Sequence, residues 1–114
     1  MAADAGQPRA GRRERLPNRR PQITDQVVWN DTAIHVSAGL SDDGRILEAF
    51  LRGARIGSEL DHLLDDFAVV LSRALQHGDR LSDIARGIGR LPSGGPASII
   101  GAVIDRLVEI EGSI

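Results

Sequence analysis

Between Thr32 and Leu40 apolar and polar positions alternate with the two-residue period of a half-buried strand, and beyond Ser58 they recur at the three- and four-residue spacings of a helix. Thr24 to Trp29 and Thr32 to Leu40 are rich in Val, Ile, Thr and Trp, and in the second of them Ile34, Val36 and Ala38 alternate with His35 and Ser37. Asn30-Asp31 between them suits a two-residue hairpin turn, because both residue types tolerate positive φ. Ser41-Asp42-Asp43-Gly44 is the next turn, and Ile46 to Leu51 forms a third strand. The pattern predicts a three-stranded antiparallel meander with one face in need of cover.

The cover is a long helix from Ser58 to about His77, on which Leu60, Leu63, Leu64, Phe67, Val70, Leu71, Ala74 and Leu75 make one apolar stripe. Ser58 is the expected N-cap, with Asp61 in a weaker version of the capping box, and Gly78 takes the left-handed position that ends the helix. A short helix, Leu81 to about Ile88, follows, then a break at Leu91-Pro92-Ser93-Gly94-Gly95-Pro96. A last helix, Ala97 to about Glu111, presents Ile100, Val103, Ile104, Leu107 and Val108 to the core. Ahead of the strands, Pro17 and Pro21 in Arg15-Leu16-Pro17-Asn18-Arg19-Arg20-Pro21 forbid a regular helix and favour an extended lead-in. The fold class is therefore α+β, a single domain over residues 15–112 behind a disordered Arg-rich arm over residues 1–14.

Charge divides the chain. Residues 1–20 hold six Arg against Asp4 and Glu14, whereas residues 21–114 hold eight Arg against fourteen carboxylates, so a basic arm precedes an acidic body. Every basic side chain other than His is Arg, whose planar fork suits phosphate and carboxylate. With no Cys there is no disulfide, no thiolate nucleophile and no Cys-ligated metal. Aromatic residues make up 3% of the chain, too few for a platform that stacks successive nucleobases. No apolar run approaches the ~20 residues of a membrane-spanning helix, and Met1 to Ala10 lacks the apolar core of a secretory signal. The expectation is a cytoplasmic protein without membrane contact.

Gly53-Ala54-Arg55-Ile56-Gly57-Ser58 leads into the long helix, and a Gly-rich turn at a helix N-terminus can aim backbone N–H groups at an anion. Arg52 and Arg55 would supply countercharge, Gly57 and Ser58 the N–H donors, and Arg19 and Arg20 would approach from the lead-in. The turn lacks the Gly-Lys-Ser/Thr ending of a P-loop and reads equally as a flexible strand-to-helix connection. His62 and Asp66 share a helical face but have no third ligand, so no metal is expected, and the carboxylates there suit the helix N-terminal dipole. His77 suits the last turn of that helix for the same reason, and His35 alternates outward on its strand without an evident partner. No Gly-x-Ser-x-Gly elbow supports a hydrolytic triad. Leu81 to Gly89 has the texture of the first half of a helix-turn-helix, but prolines and glycines occupy the place of the recognition helix, and only Arg106 lies beyond them.

Arg15 to Pro21, Asp43-Gly44-Arg45 before Glu48-Ala49-Phe50-Leu51, Gly53 to Ser58, and Ala68 to Gly78 together resemble the TSCPD-domain family over roughly Arg15 to Glu111. That family includes the C-terminal domain of adenosylcobalamin-dependent (class II) ribonucleotide reductases and short proteins. The stretch similar to the naming motif is Pro96-Ala97-Ser98-Ile99-Ile100, in which Ser98 matches and Ile99 stands at the family's Cys position; Arg55 stands at the other. The resemblance therefore implies neither the thiol nor the metal chemistry of those cysteines. The thiyl radical and cobalamin site that it attaches to the reductase belong to a separate large barrel.

The resemblance implies a non-catalytic accessory or regulatory domain protein in deoxynucleotide metabolism and the DNA replication it feeds. It carries no catalytic residue and no cofactor of its own. Expected partners are a ribonucleotide reductase or another protein, a nucleotide or another polyanion, and a second copy of the chain through an exposed strand edge. The alternative is a nucleic-acid-binding protein that acts through its Arg-rich arm.

Overall fold

A computed structural model describes residues 13–53 and 57–114; most of the Arg-rich arm, residues 1–12, and the loop position Arg55 lie outside these limits. Three strands, β1 (Gln22–Trp29), β2 (Thr32–Leu40) and β3 (Ile46–Gly53), are followed by α1 (Glu59–Gln76), α2 (Leu81–Gly87) and α3 (Ile99–Gly112). The sheet is the expected antiparallel meander in the order β1-β2-β3. Its first hairpin turns on Asn30 and Asp31, at φ 48° and 62°, which is the pair of positive φ angles that a two-residue turn demands. β1 begins earlier and β3 ends later than the residue pattern indicates, because the ladder pairs Gln22 with Gly39 and Gly53 with Ile34.

Alternation along the ladder divides the sheet into two faces. Val27, Ile34, Val36, Ala38, Leu47, Ala49 and Leu51 point inward and are buried. Thr24, Gln26, Val28, His35, Phe50 and Arg52 stand on the other, uncovered face. An antiparallel sheet with one solvated face is the ordinary result of this pattern.

Helix α1 packs on β3 and α3 reaches β1, with α2 against α3. The shared core includes Leu64, Leu71, Leu75, Leu81, Val103 and Leu107, and Leu16 of the lead-in packs against it. Ser58 caps α1 by accepting the Asp61 N–H at 3.2 Å, and Gly78 follows the helix at φ 115°. Ser98 caps α3 in the same way through the Gly101 N–H. That cap moves the start of α3 to Ile99, past the expected Ala97. Ile110 is buried in α3, while Ile100 and Val108 are only half-buried.

The apolar stripe of α1 requires a correction. Leu64, Leu71 and Leu75 are buried as its spacing indicates, but Leu63 and Val70 are 56% and 65% exposed, and the polar Asp61 and Gln76 are buried instead. The helix is rotated so that Asp61, Ser72 and Gln76 meet the free edge of β3. Unpaired backbone groups on that edge cost more than two partly exposed aliphatic side chains.

Candidate functional site

The site grows from the edge of β3. Ala49 donates its N–H to Ser72 Oγ at 2.9 Å, and Ser72 Oγ returns a hydrogen bond to the Ala49 carbonyl at 3.3 Å. One helical turn on, Gln76 Nε2 donates to the Leu47 carbonyl at 3.0 Å. At the other end Gly53 N–H donates to Asp61 Oδ1 at 3.0 Å, and Gly57 N–H donates to Asp61 Oδ2 at 3.1 Å. Three side chains of one helix thus serve as the missing fourth strand.

Asp61 is 3% exposed, and its carboxyl is held below the usual carboxylate range. The Gly57 and Gly53 N–H donors are the main cause, and the nearby charges of Arg52 and His62 act in the same direction. The N–H donors of the Gly-rich turn therefore already face an anion, supplied by the chain itself.

The expected anion-binding residues fall into two groups. Arg52, Gly57 and Ser58 lie around Asp61 at the start of α1. Arg20 lies at the opposite end of the helix, where its Nε contacts Glu48 Oε2 at 2.5 Å and its Nη1 donates to the Pro17 carbonyl at 3.1 Å. Arg19 is exposed in the lead-in, and Arg55 is outside the described residues. The lead-in is fastened at that second end: Glu14 N–H donates to the Gln76 carbonyl at 2.7 Å, Arg13 Nε bonds Gln76 Oε1, and Glu14 Oε1 pairs with Arg45 at 2.7 Å.

Between the two ends, β3 and α1 enclose a groove of about 570 Å³ that opens onto the uncovered sheet face. His35, Phe50 and Arg52 line it from the sheet, and Asp65, Val69 and Arg73 from the helix. Phe50 is 54% exposed, so an aromatic ring stands free at its rim. His35, Phe50 and Arg73 all lie outside the Gly-rich turn, residues 53–58. The signal that could have joined them is the strand alternation, which places His35, Phe50 and Arg52 on one face.

Other candidates resolve into pairs. Arg106 is engaged by Asp25 and Glu109, and Arg90 by Asp105, so the cation beyond the helix-turn-helix-like segment is tied into the body. Among the described residues no three His, Asp or Glu side chains stand close enough to hold a metal ion. No helix there is long and apolar enough to cross a membrane.

The chain is similar to part of the vitamin B12-dependent ribonucleotide reductases. It is 37% identical to that of Rhodopirellula baltica over 67 residues, 59% of this chain. It is 32% identical to that of Bradyrhizobium diazoefficiens over 71 residues, 62% of this chain, and 33% identical to that of Streptantibioticus cattleyicolor over 66 residues, 58%. The matched stretch is 6% of the first two reductases and 11% of the third, so the chain is related to a small region of these enzymes. No protein-family model and no solved structure matches it. The groove does not fit the corrinoid named by these relatives: about 570 Å³ suits a small ligand, whereas a corrin ring with its axial groups is far larger.

Proposed function

We propose that the chain is a non-catalytic accessory or regulatory domain protein, akin to the TSCPD-type C-terminal region of adenosylcobalamin-dependent ribonucleotide reductases. In this reading it acts in deoxynucleotide metabolism by binding a partner protein or an anionic ligand. The observation that carries this reading is the similarity to one small region of several such reductases. The absence of Cys from the sequence supports a binding role, because a radical reductase draws its reducing equivalents from thiols. Leu63 and Val70, exposed on α1 with the half-buried Phe67 between them, offer an apolar strip for a protein partner. A second copy would pair through β1, since α1 already occupies the edge of β3.

The test is affinity capture of the tagged chain from its own cells at moderate salt, with mass spectrometry of what is retained. A B12-dependent ribonucleotide reductase in stoichiometric amount is the expected result. Nucleic acid in its place, lost on deletion of residues 1–12, would overturn the accessory reading in favour of the Arg-rich arm as the working element. That deletion spares Arg13, Glu14, Leu16 and Arg20, which are bonded to or packed on the body.

A further inference from the structure

Helix α1 turns an uncovered ridge away from the sheet. Leu64, Ala68, Leu71 and Leu75 are buried on one side of it, and Glu59, His62, Asp66, Val69, Val70 and Arg73 are exposed on the other. Asp66 and Arg73 are two helical turns apart, on one line along the middle of that ridge. Val69 and Val70 stand between them, 58% and 65% exposed, one on either side of the line. Phe50, exposed across the groove from Val69, widens this apolar centre. Neither Asp66 nor Arg73 makes an ion pair or a hydrogen bond among the described residues. They cannot pair with each other, because two turns hold them about 10 Å apart along the axis.

An apolar centre with a free carboxylate before it and a free guanidinium after it is complementary to its own image turned end for end. The midpoint between Asp66 and Arg73 is also the midpoint between Val69 and Val70. A two-fold axis through that point sets α1 antiparallel to α1 of a second copy, with Asp66 at the partner's Arg73, Arg73 at the partner's Asp66, and the valines against each other. Asp65 then falls opposite the partner's Ala74, and the position opposite Glu59 lies past the end of the partner's helix at Gln76, so no carboxylate faces another. The same order sets the acidic first turn of each helix toward the basic last turn of the other and opposes the two helix dipoles. Charged residues flanking an apolar seam are the usual means by which paired helices fix their orientation. A different protein would have to supply the matching pattern, whereas a second copy carries it by symmetry.

We infer that two copies of the chain associate through α1, antiparallel about Val69 and Val70, with reciprocal Asp66–Arg73 ion pairs on either side of the axis. The inference goes beyond the function proposed above and does not depend on a reductase. It is also distinct from strand pairing, since α1 packs on β3, at the opposite edge of the sheet from β1.

The experiment is analytical ultracentrifugation of the purified full chain over a dilution series, with two charge reversals. The parent is expected to pass reversibly from the 12.2 kDa monomer to twice that mass as its concentration rises. Asp66→Arg and Arg73→Glu should each weaken self-association at least tenfold, because each sets like charges against each other twice across the axis. Both sites are exposed, and both new side chains are good helix formers, so the melting temperatures of dilute samples should match the parent. Mixed in equal amounts, the two single variants should form a one-to-one dimer of about the parent's affinity, since every guanidinium then faces a carboxylate. The double variant Asp66→Arg/Arg73→Glu should recover self-association for the same reason, and Val69→Glu, with a carboxylate beside the axis, should abolish it. A parent that stays monomeric at millimolar concentration overturns the inference. Single variants that dimerise as the parent does, as pairing through β1 would require, or a mixture that stays monomeric, overturn it equally. Because only the purified chain is used, its failure leaves the accessory reading standing, and failure to capture a reductase leaves the dimer standing.

Discussion

Glu48 lies directly across the β2–β3 ladder from Gly39, and its side chain fills the space that a side chain at position 39 would take. A Cβ there would stand 2.6 Å from Glu48 Cγ, closer than real Cβ atoms come to a neighbour. The missing side chain is what lets Glu48 lie across the strand, 7% exposed, with its carboxylate on Arg20. Gly39→Ala is expected to push Glu48 off Arg20 and to lower stability by about 1–3 kcal/mol. Urea denaturation checks this, and Gly39→Ala in a Glu48→Ala background should cost clearly less, because the obstructing side chain is gone.

Asp61 gives the fold a pH dependence of definite sign. Its folded carboxyl titrates below the ordinary carboxylate value, mainly through the Gly57 and Gly53 N–H donors, so the unfolded chain binds a proton at higher pH than the folded one. The stabilisation is complete above the ordinary value of about 3.9 and is lost as the pH falls through the depressed folded value. Asp61→Asn should therefore be less stable than the parent at neutral pH, with a gap that narrows on acidification. Thermal melts of both proteins between pH 7 and pH 3 measure this, and a gap that widens toward acid would contradict the assignment.

Much of the fold can be read from the residues: apolar runs bounded by turn residues give β1 to β3, Asn30-Asp31 gives the hairpin, and Ser58 and Gly78 bracket α1. The rotation of α1 cannot be read in the same way. Periodicity reports where apolar side chains lie around a helix, whereas the orientation here is decided by which backbone groups of β3 lack partners. Asp61, Ser72 and Gln76 look like surface positions until that edge is known to be open. The site was legible in part for the same reason. Arg52, Gly57 and Ser58 are contiguous with the turn and do gather, but Arg20 is drawn to Glu48 by a tertiary contact that no local spacing announces.

Ser72 is a sharp probe of that edge. Its hydroxyl serves both polar groups of Ala49, which is 1% exposed, and no water reaches them readily. Ser72→Ala is expected to cost about 1–3 kcal/mol, the penalty of a buried polar group left unpaired. Hydrogen exchange at the Ala49 amide should accelerate by more than the global change in stability explains. The amides of β1, far from the cap, should follow the global change alone.

Helix α1 carries two adjacent leucines with opposite roles. Leu64 is fully buried against β3, and Leu63, one residue earlier, is 56% exposed. Leu64→Ala should destabilise the chain by about 2–5 kcal/mol through the cavity it leaves. Leu63→Glu should stay within about 0.5 kcal/mol of the parent, because it exchanges one solvated side chain for another. Val70→Glu, at 65% exposure, should behave likewise. If the apolar strip receives a protein partner, these two charge substitutions abolish capture of that partner while the melting temperature holds. Destabilisation by Leu63→Glu comparable to that of Leu64→Ala would show instead that the helix presents its whole apolar stripe to the core.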